Sequence, residues 1–153
     1  MLFILLFLFI SYAQMTIFEG SMEKIIILDF GSQYTQLIAR RLRELQVYSE
    51  IHPYNKNIDY SDPDIRAVIL SGSPFSVNDE ARLDLDISTV VAHQPILAVC
   101  YGAQLVSSQY GGRVEKSNKR EYGKARINKL KDDKIFESVS SESQVWMSHA
   151  DTV

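Results

Sequence analysis

Residues 24–45 read KIIILDFGSQYTQLIARRLREL, and their pattern indicates the fold class of this chain. The first six residues contain four consecutive apolar residues, 25–28, so both faces of a strand there would be apolar. This pattern is typical of a strand buried in a parallel sheet. A turn is predicted at residues 30–32, because Gly31 and Ser32 favour turns. Residues 33–46 then carry apolar side chains at helical spacing, which predicts an amphipathic helix. These apolar residues are Leu37, Ile38, Leu42 and Leu45.

The alternation of strands and helices continues to about residue 110. Strands are predicted at residues 47–51, 66–70 and 95–100, and helices at residues 81–92 and 102–110. The resulting order β-α-β-β-α-β-α predicts an α/β domain with three layers and a mainly parallel sheet.

The pattern changes after Gly111 and Gly112. Shorter strands, of antiparallel type, are predicted at residues 113–116, 124–130 and 144–147. No closing helix or cap follows them, so we expect a domain that is truncated at its C-terminus.

The composition excludes several classes of function. With 153 residues, 46% hydrophobic and 23% charged, the chain is typical of one globular domain. A net charge of −3 without a basic tract argues against nucleic-acid binding. One cysteine excludes an internal disulfide, and three histidines that lie far apart in sequence give no local metal motif. We expect no metal, no nucleic-acid or membrane partner, and a cytoplasmic location.

Residues 1–21 form a separate segment that begins with ten apolar residues. A helix from Met1 to Ala13 would span only ~20 Å, whereas a bilayer core needs ~30 Å. No Lys or Arg precedes the apolar run, and Met15 and Met22 offer later starts. The favoured interpretation is an apolar extension from a mis-assigned start. An export signal and a packed or membrane-surface segment stay open. The working domain is assigned to residues 22–153.

Three predicted strands end in turns that are rich in small or polar residues. The turns are residues 29–33, 71–74 and 100–104. Parallel strands bring their carboxyl ends to one edge of a sheet, where ligands bind in open α/β folds. We therefore expect the functional site at this edge.

Cys100 stands where the last predicted strand turns sharply into a helix. The positive end of the helix favours the thiolate, and Gly102 allows a tight turn. The arrangement parallels the nucleophile elbow of hydrolases. The backbone N–H groups of Tyr101 and Gly72 are candidates for an oxyanion hole. The alternatives are a small buried hydrophobe for Cys100, a turn glycine for Gly72 and a helix cap for Asp29.

Four segments resemble the class I glutamine amidotransferases. ILDFGSQYTQLIARR (residues 27–41) resembles the opening of the glutamine-hydrolysing GMP synthase family, and VCYGAQ (residues 99–104) resembles the nucleophile segment of the whole class. SNKREYG (residues 117–123) and VWMSHAD (residues 145–151) resemble two later GMP synthase segments. On this resemblance the chain is an N-terminal fragment of a GMP synthase amidotransferase domain.

The resemblance implies a flavodoxin-like fold and a glutaminase half-reaction. Cys100 would attack the side-chain amide of glutamine, and ammonia would leave behind a glutamyl thioester. An ATP-using synthetase domain, in the same chain or a separate subunit, would use the ammonia to convert XMP to GMP. ATP and Mg²⁺ are expected only there, and no cofactor in this fragment. By motif, Gly72 and Tyr101 would provide oxyanion N–H groups. Gln104, Ser148 and His149 would bind glutamine.

Two departures from the family pattern affect these expectations. Ser73 replaces the second glycine of the usual Gly-Gly-Pro, and a positive φ there would add strain. The family's catalytic His-x-Glu motif does not occur in these residues. His149 matches the substrate segment instead, and His52 and His93 are expected to be structural or exposed. We therefore expect little glutaminase turnover from this chain alone.

Other functions stay open on the sequence. One is a non-catalytic remnant that binds glutamine or a partner domain. A second is an amidotransferase of another biosynthetic pathway, and a third is an unrelated cysteine hydrolase.

Overall fold

The computed structural model describes residues 22–80, 82–128, 133, 136–137, 139–140 and 142–152. The described part divides into two compact units, residues 22–114 and residues 115–152. Residues 1–21 lie outside it, so the assignment of an apolar extension stays a prediction. No helix in the described ranges is long and apolar enough to cross a membrane.

The first unit contains four strands and three helices in the predicted order. The strands are β1 (Lys24–Asp29), β2 (Ser49–Pro53), β3 (Ile65–Leu70) and β4 (Ile96–Ala98), and the helices are α1 (Thr35–Glu44), α2 (Ile87–Val91) and α3 (Tyr101–Gln109). The strands pair in the order β2-β1-β3-β4, and every pair is parallel. The parallel α/β fold is confirmed, and β1 has its predicted bounds.

The sheet is buried between helices on both faces. Ile26 and Leu28 of β1 belong to the core cluster that also contains residues of α2 and α3. Because side chains alternate along a strand, Ile25 and Ile27 face the other side, where α1 buries its apolar stripe. All four of these residues are at most 1% exposed, which explains the unbroken apolar run that predicted the strand.

Helix α2 is much shorter than the predicted helix at residues 81–92. Asp86 acts as its N-cap, accepting hydrogen bonds from the backbone N–H and the hydroxyl of Ser88 (3.0 and 2.6 Å). An N-cap residue has extended backbone, so the helix cannot continue upstream of it. Residues 82–86 consequently run without regular secondary structure.

The second unit is built on one antiparallel pair, β5 (Glu115–Arg126) with β6 (Gln144–Thr152). The antiparallel pairing agrees with the prediction, but one twelve-residue strand replaces the two predicted at residues 113–116 and 124–130. Residues 115–126 include seven charged residues and no alternation of apolar and polar residues. The sequence pattern therefore does not indicate this strand, which is defined by its backbone pairing with β6.

The end of α1 contains a strained residue. Gln46 has φ 61°, in the left-handed region that favours glycine. It follows the C-cap Leu45, and the next amide, Val47 N–H, donates to the carbonyl of Leu42 (2.9 Å). This is the Schellman arrangement, with glutamine at the position that usually holds glycine.

Replacing Gln46 by glycine should stabilise the chain. A side chain in the left-handed region costs about 1–2 kcal/mol, part of which is offset by the greater entropy of glycine in the unfolded chain. We expect a net gain of about 0.5–1 kcal/mol, measured as a higher urea midpoint with an unchanged m-value. Gln46→Ala keeps the Cβ and should give no such gain. An equal gain for both variants would contradict the argument.

Candidate active site

The site lies where the connections after β1, β3 and β4 meet. The chain proceeds outward from β1 in both directions, to β2 on one side and to β3 and β4 on the other. Such a switch point opens a crevice at the carboxyl ends of the strands. The three turns are close together there. A Cβ built on Gly72 would lie 3.3 Å from the Cβ of Cys100 and 3.4 Å from the Oγ of Ser32.

Cys100 occupies a strained turn between β4 and α3. Its backbone has φ 50° and ψ −113°, and it is the residue immediately before the first turn of the helix. A non-glycine residue in this conformation costs of order 1–3 kcal/mol and persists only where the surroundings fix it. The sharp strand-to-helix turn predicted at Cys100 is therefore present in the backbone, and the role of Cys100 as a nucleophile stays a prediction.

Gly102 makes this turn possible. A Cβ at residue 102 would lie 2.6 Å from the Cβ of Leu70 and 2.9 Å from its carbonyl oxygen, distances that real Cβ atoms do not show. The Gly102 N–H donates to the carbonyls of Ser71 (3.1 Å) and Val99 (3.0 Å). The first turn of α3 is thus packed directly against the end of β3.

Two backbone N–H groups in the turns at Cys100 make no described hydrogen bond. Neither the N–H of Gly72 nor that of Tyr101 has a hydrogen-bond partner among the residues that the structure describes. Donors placed in this way suit an anionic oxygen that develops next to the sulfur. Their assignment as an oxyanion hole stays a prediction.

Ser71 holds the turn after β3, a role that the sequence analysis missed. Its side chain is fully buried, and its Oγ accepts a hydrogen bond from Phe30 N–H (3.0 Å) and donates one to the carbonyl of Gly72 (3.0 Å). A serine directly after a mostly apolar strand was the available signal, because a buried hydroxyl needs partners.

The thiol of Cys100 differs from the sequence expectation in two respects. The residue is exposed, so the alternative of a small buried hydrophobe is wrong. Partial burial of the sulfur nevertheless raises the pKa of the thiol above its usual value, so the expectation of a favoured thiolate is not supported. Desolvation disfavours the charged form, and no cation or imidazole in the described residues contributes an opposing effect.

Other predicted residues of the first unit also have defined places. Asp29 does not cap α1, whose N-cap is Tyr34 without a side-chain cap bond, so that alternative is wrong. Asp29 Oδ1 instead holds the turn, because it accepts hydrogen bonds from Gly31 N–H (2.9 Å), Ser32 N–H (3.3 Å) and the hydroxyl of Thr35 (2.7 Å). Gln104 is half-buried on α3, one turn after Cys100, and its N–H donates to the Cys100 carbonyl (3.1 Å). Its role toward glutamine stays a prediction.

Ser73 carries none of the strain that a positive φ would bring. Among the described residues only Gln46 and Cys100 combine a side chain with a positive φ. Ser73 Oγ instead accepts a hydrogen bond from Phe75 N–H (3.2 Å) within the turn.

The histidines do not assemble near Cys100 within the first unit. His52 lies between the carboxylate of Glu50 and the ammonium group of Lys56, 2.9 Å from each, and His93 is exposed. His149 and Ser148 belong to β6 in the second unit, where their backbones pair with Glu121 and Tyr122. Their proposed contact with glutamine stays a prediction. Within the described ranges, no group of three metal-ligating side chains could hold a metal ion.

Comparison with known proteins decides the family. The sequence model described as "Glutamine amidotransferase class-I" matches residues 26–153. The chain belongs to the class I glutamine amidotransferase family. It is 57% identical over 132 residues to a glutamine-hydrolysing GMP synthase of Cytophaga hutchinsonii, and 55% identical over 132 residues to one of Phocaeicola vulgatus. These alignments cover 86% of this chain but only 26% and 25% of the relatives, so the chain spans about a quarter of their length.

A solved structure supports the same assignment. The crystal structure of a Thermoplasma acidophilum protein, named as one subunit of a GMP synthase, superposes with a TM-score of 0.69 at 31% identity. The match covers 87% of this chain and 67% of that one. The resemblance of this amidotransferase to the GMP synthases is therefore confirmed at the level of sequence and fold.

The close packing of Gly102 and its helix propensity predict opposite signs for the change in unfolding free energy of Gly102→Ala. Helix propensity alone would make Gly102→Ala stabilising by about 1 kcal/mol. The contact with Leu70 instead predicts destabilisation by about 1–3 kcal/mol, because the added methyl forces α3 away from β3. Urea unfolding measures the difference. Ala103→Gly is the control, and it should lose about 1 kcal/mol by propensity. A stabilised Gly102→Ala variant would contradict this close packing.

The raised thiol pKa predicts a pH profile for alkylation. Because the thiolate is the reactive form, labelling of Cys100 by iodoacetamide should still be accelerating at pH values above the ordinary thiol pKa of about 8.5. Cys100 is the only cysteine of the sequence, so incorporated label reports it alone. A rate that reaches its plateau below about pH 7 would show an activated thiolate and overturn this interpretation.

Proposed function

We propose that Cys100 is the nucleophile of a glutaminase half-reaction. The observation that supports this most strongly is the strained turn that presents the thiol beside the N–H groups of Gly72 and Tyr101, which no described residue engages. A buried structural cysteine has no need of a left-handed backbone, of exposure or of free donors. A nucleophile needs exposure to reach a carbonyl carbon and donors to stabilise the oxyanion, and a strained strand-to-helix turn is one way to display it.

The proposed chemistry has two steps. In the first, the Cys100 sulfur bonds to the side-chain amide carbon of glutamine, the C–N bond breaks, and the thiol proton leaves with the nitrogen as ammonia. In the second, water attacks the glutamyl thioester, the C–S bond breaks, and glutamate and the thiol are regenerated. In both steps the carbonyl oxygen becomes negative, and the N–H groups of Gly72 and Tyr101 stabilise it.

Glutamine recognition is assigned to Gln104, Ser148 and His149. Gln104 is one helical turn beyond the N-cap Cys100 and is half-buried, and its role follows from the motif VCYGAQ. The other two residues follow from the motif VWMSHAD on β6.

The raised thiol pKa fits a reaction that needs a general base. An attacking thiol must lose its proton, and burial of the sulfur opposes that loss. The family's His-x-Glu motif would supply the base, and the 153 residues do not contain it. We therefore propose that this chain alone binds glutamine but turns it over slowly.

The product ammonia implies a partner. The relatives are GMP synthases about four times as long as the matched region. We propose that ammonia passes to an ATP-using synthetase domain, in the same chain or a separate subunit, which aminates XMP. ATP and Mg²⁺ would be bound by that domain.

Protection of the single thiol tests the proposal. Glutamine at millimolar concentration should slow alkylation of Cys100 several-fold, because the bound amide covers the sulfur. Asparagine, one methylene shorter, is the matched control and should not protect. Gln104→Ala should weaken the protection by about tenfold in glutamine concentration, as expected for the loss of one to two hydrogen bonds. Equal labelling with and without glutamine would refute a glutamine site at Cys100.

Turnover is tested separately by ammonia release. The chain alone should release ammonia only slowly, and Cys100→Ala should abolish what remains. Rapid, Cys100-dependent release would contradict the proposed need for a base outside these residues. Release that survives Cys100→Ala would contradict the thioester step.

A further inference from the structure

Residues 82–86, here called the connecting segment, are held to α3 by side chains from both ends of the helix. Tyr101, the first residue of α3, donates its hydroxyl hydrogen to the carbonyl of Leu83 (2.6 Å). Gln109, the last residue, donates to the carbonyl of Leu85 (2.7 Å) and accepts from Ile87 N–H (2.9 Å). The segment has no regular secondary structure, so these side-chain hydrogen bonds attach it to α3.

Packing supports the connecting segment only in part. A cavity of about 280 Å³ is lined by Arg82 and Asp84 of the segment and by Leu105, Ser108 and Gln109 of α3, together with Val77. Leu83 and Leu85 of the segment are partly buried against the core cluster that contains Tyr101 and Leu105 of α3. The hydrogen bonds at the two ends of α3 join the segment to the helix on either side of the cavity.

Tyr101 is the residue that follows the nucleophile, and its side chain is fixed on two sides. The ring is 1% exposed and packs against Phe30 with ring centroids 5.4 Å apart. Phe30 in turn stacks on Tyr54 at 5.1 Å. Burial raises the pKa of the phenol, so the hydroxyl stays protonated and remains a hydrogen-bond donor to Leu83.

We propose that the Tyr101 hydroxyl is a positioning group for the reaction, which fixes the strained turn at Cys100. This inference rests on the proposed function, because it assigns a task to the side chain of a residue whose backbone N–H faces the oxyanion. A residue other than glycine keeps a positive φ only when the surrounding structure fixes its backbone. Gly102 packed on Leu70 constrains the turn from the sheet side, and Tyr101 bonded to Leu83 constrains it from the segment side.

Tyr101→Phe tests the proposal because it removes one oxygen and leaves the ring packing intact. The amide of Gly102, which is bonded to Ser71 and Val99, reports on the turn. Loss of a hydrogen bond that contributes about 1 kcal/mol should speed hydrogen exchange at Gly102 about fivefold. The pH profile of Cys100 alkylation should shift toward the ordinary thiol pKa, because water gains access to the sulfur.

Gln109→Ala is the matched control. It releases the same connecting segment at the far end of α3, so it should speed exchange at Ile87 and leave both Gly102 exchange and the Cys100 pH profile unchanged. If the two variants act alike on Cys100, the hydroxyl has only a general structural role and the proposal is overturned. It is likewise overturned if Tyr101→Phe leaves Gly102 exchange and the pH profile as they were.

The outcomes separate this inference from the proposed function. Glutamine protection of the unaltered chain tests the glutamine site, whereas Gly102 exchange and the pH profile need no glutamine. If glutamine does not protect the unaltered chain, the proposed function is refuted. If Tyr101→Phe still loosens the turn in that case, the hydroxyl remains a determinant of the turn. In an active, longer enzyme, the variant should lower kcat and leave KM unchanged, since the N–H acts on the transition state.

Discussion

The first turn of α3 lies so close to the end of β3 that only glycine fits at residue 102. The conformation of the residues before it follows from this contact. Two residues separate the end of β4 from the helix, and Cys100, the residue before the first turn of the helix, has a positive φ of 50°. This backbone packing contact constrains the turn at Cys100 from the sheet side, and the hydrogen bond from the Tyr101 hydroxyl to Leu83 constrains it from the other side.

The turns around the thiol are held by hydrogen bonds from side chains that do not face the crevice. Ser71 links the turn after β3 to Phe30, and Asp29 gathers three donors in the turn after β1. Tyr101 links the turn at Cys100 to the connecting segment. These bonds do not use the backbone N–H groups of Gly72 and Tyr101, which have no hydrogen-bond partner among the described residues. This division between supporting side chains and free backbone donors makes the site pre-organised.

Much of the fold could be predicted because the decisive signals are local. β1 has its predicted bounds because a strand that is buried on both faces needs an unbroken apolar run. The order of strands and helices in the α/β unit followed from the spacing of apolar residues along the chain. The length of α2 could not be predicted, because it depends on Asp86 capping the helix and on Gln109 binding its first amide from 22 residues away. β5 was predicted as two pieces, since its pairing with β6 lies in the backbone and not in apolar alternation.

The position of the site could be predicted from the sequence, but the direction of the Cys100 pKa shift could not. Small residues after three parallel strands located it, and a cysteine followed by Tyr101 and Gly102 indicated the turn. The direction of the thiol pKa shift depends on how much water the surrounding turns exclude, and spacing along the chain does not encode that. The buried hydroxyls of Ser71 and Tyr101 were missed for a similar reason, because their partners are distant backbone groups.

The left-handed backbone of Cys100 also has an evolutionary consequence. Glycine adopts this conformation without steric cost, and a single base change converts a cysteine codon into a glycine codon. In a gene copy released from the need for the thiol, that substitution would be accessible and stabilising, so the cysteine would be lost early while the fold persisted. Under the proposed function, the identity of residue 100 would mark, in any descendant copy, whether the thiol is still under selection.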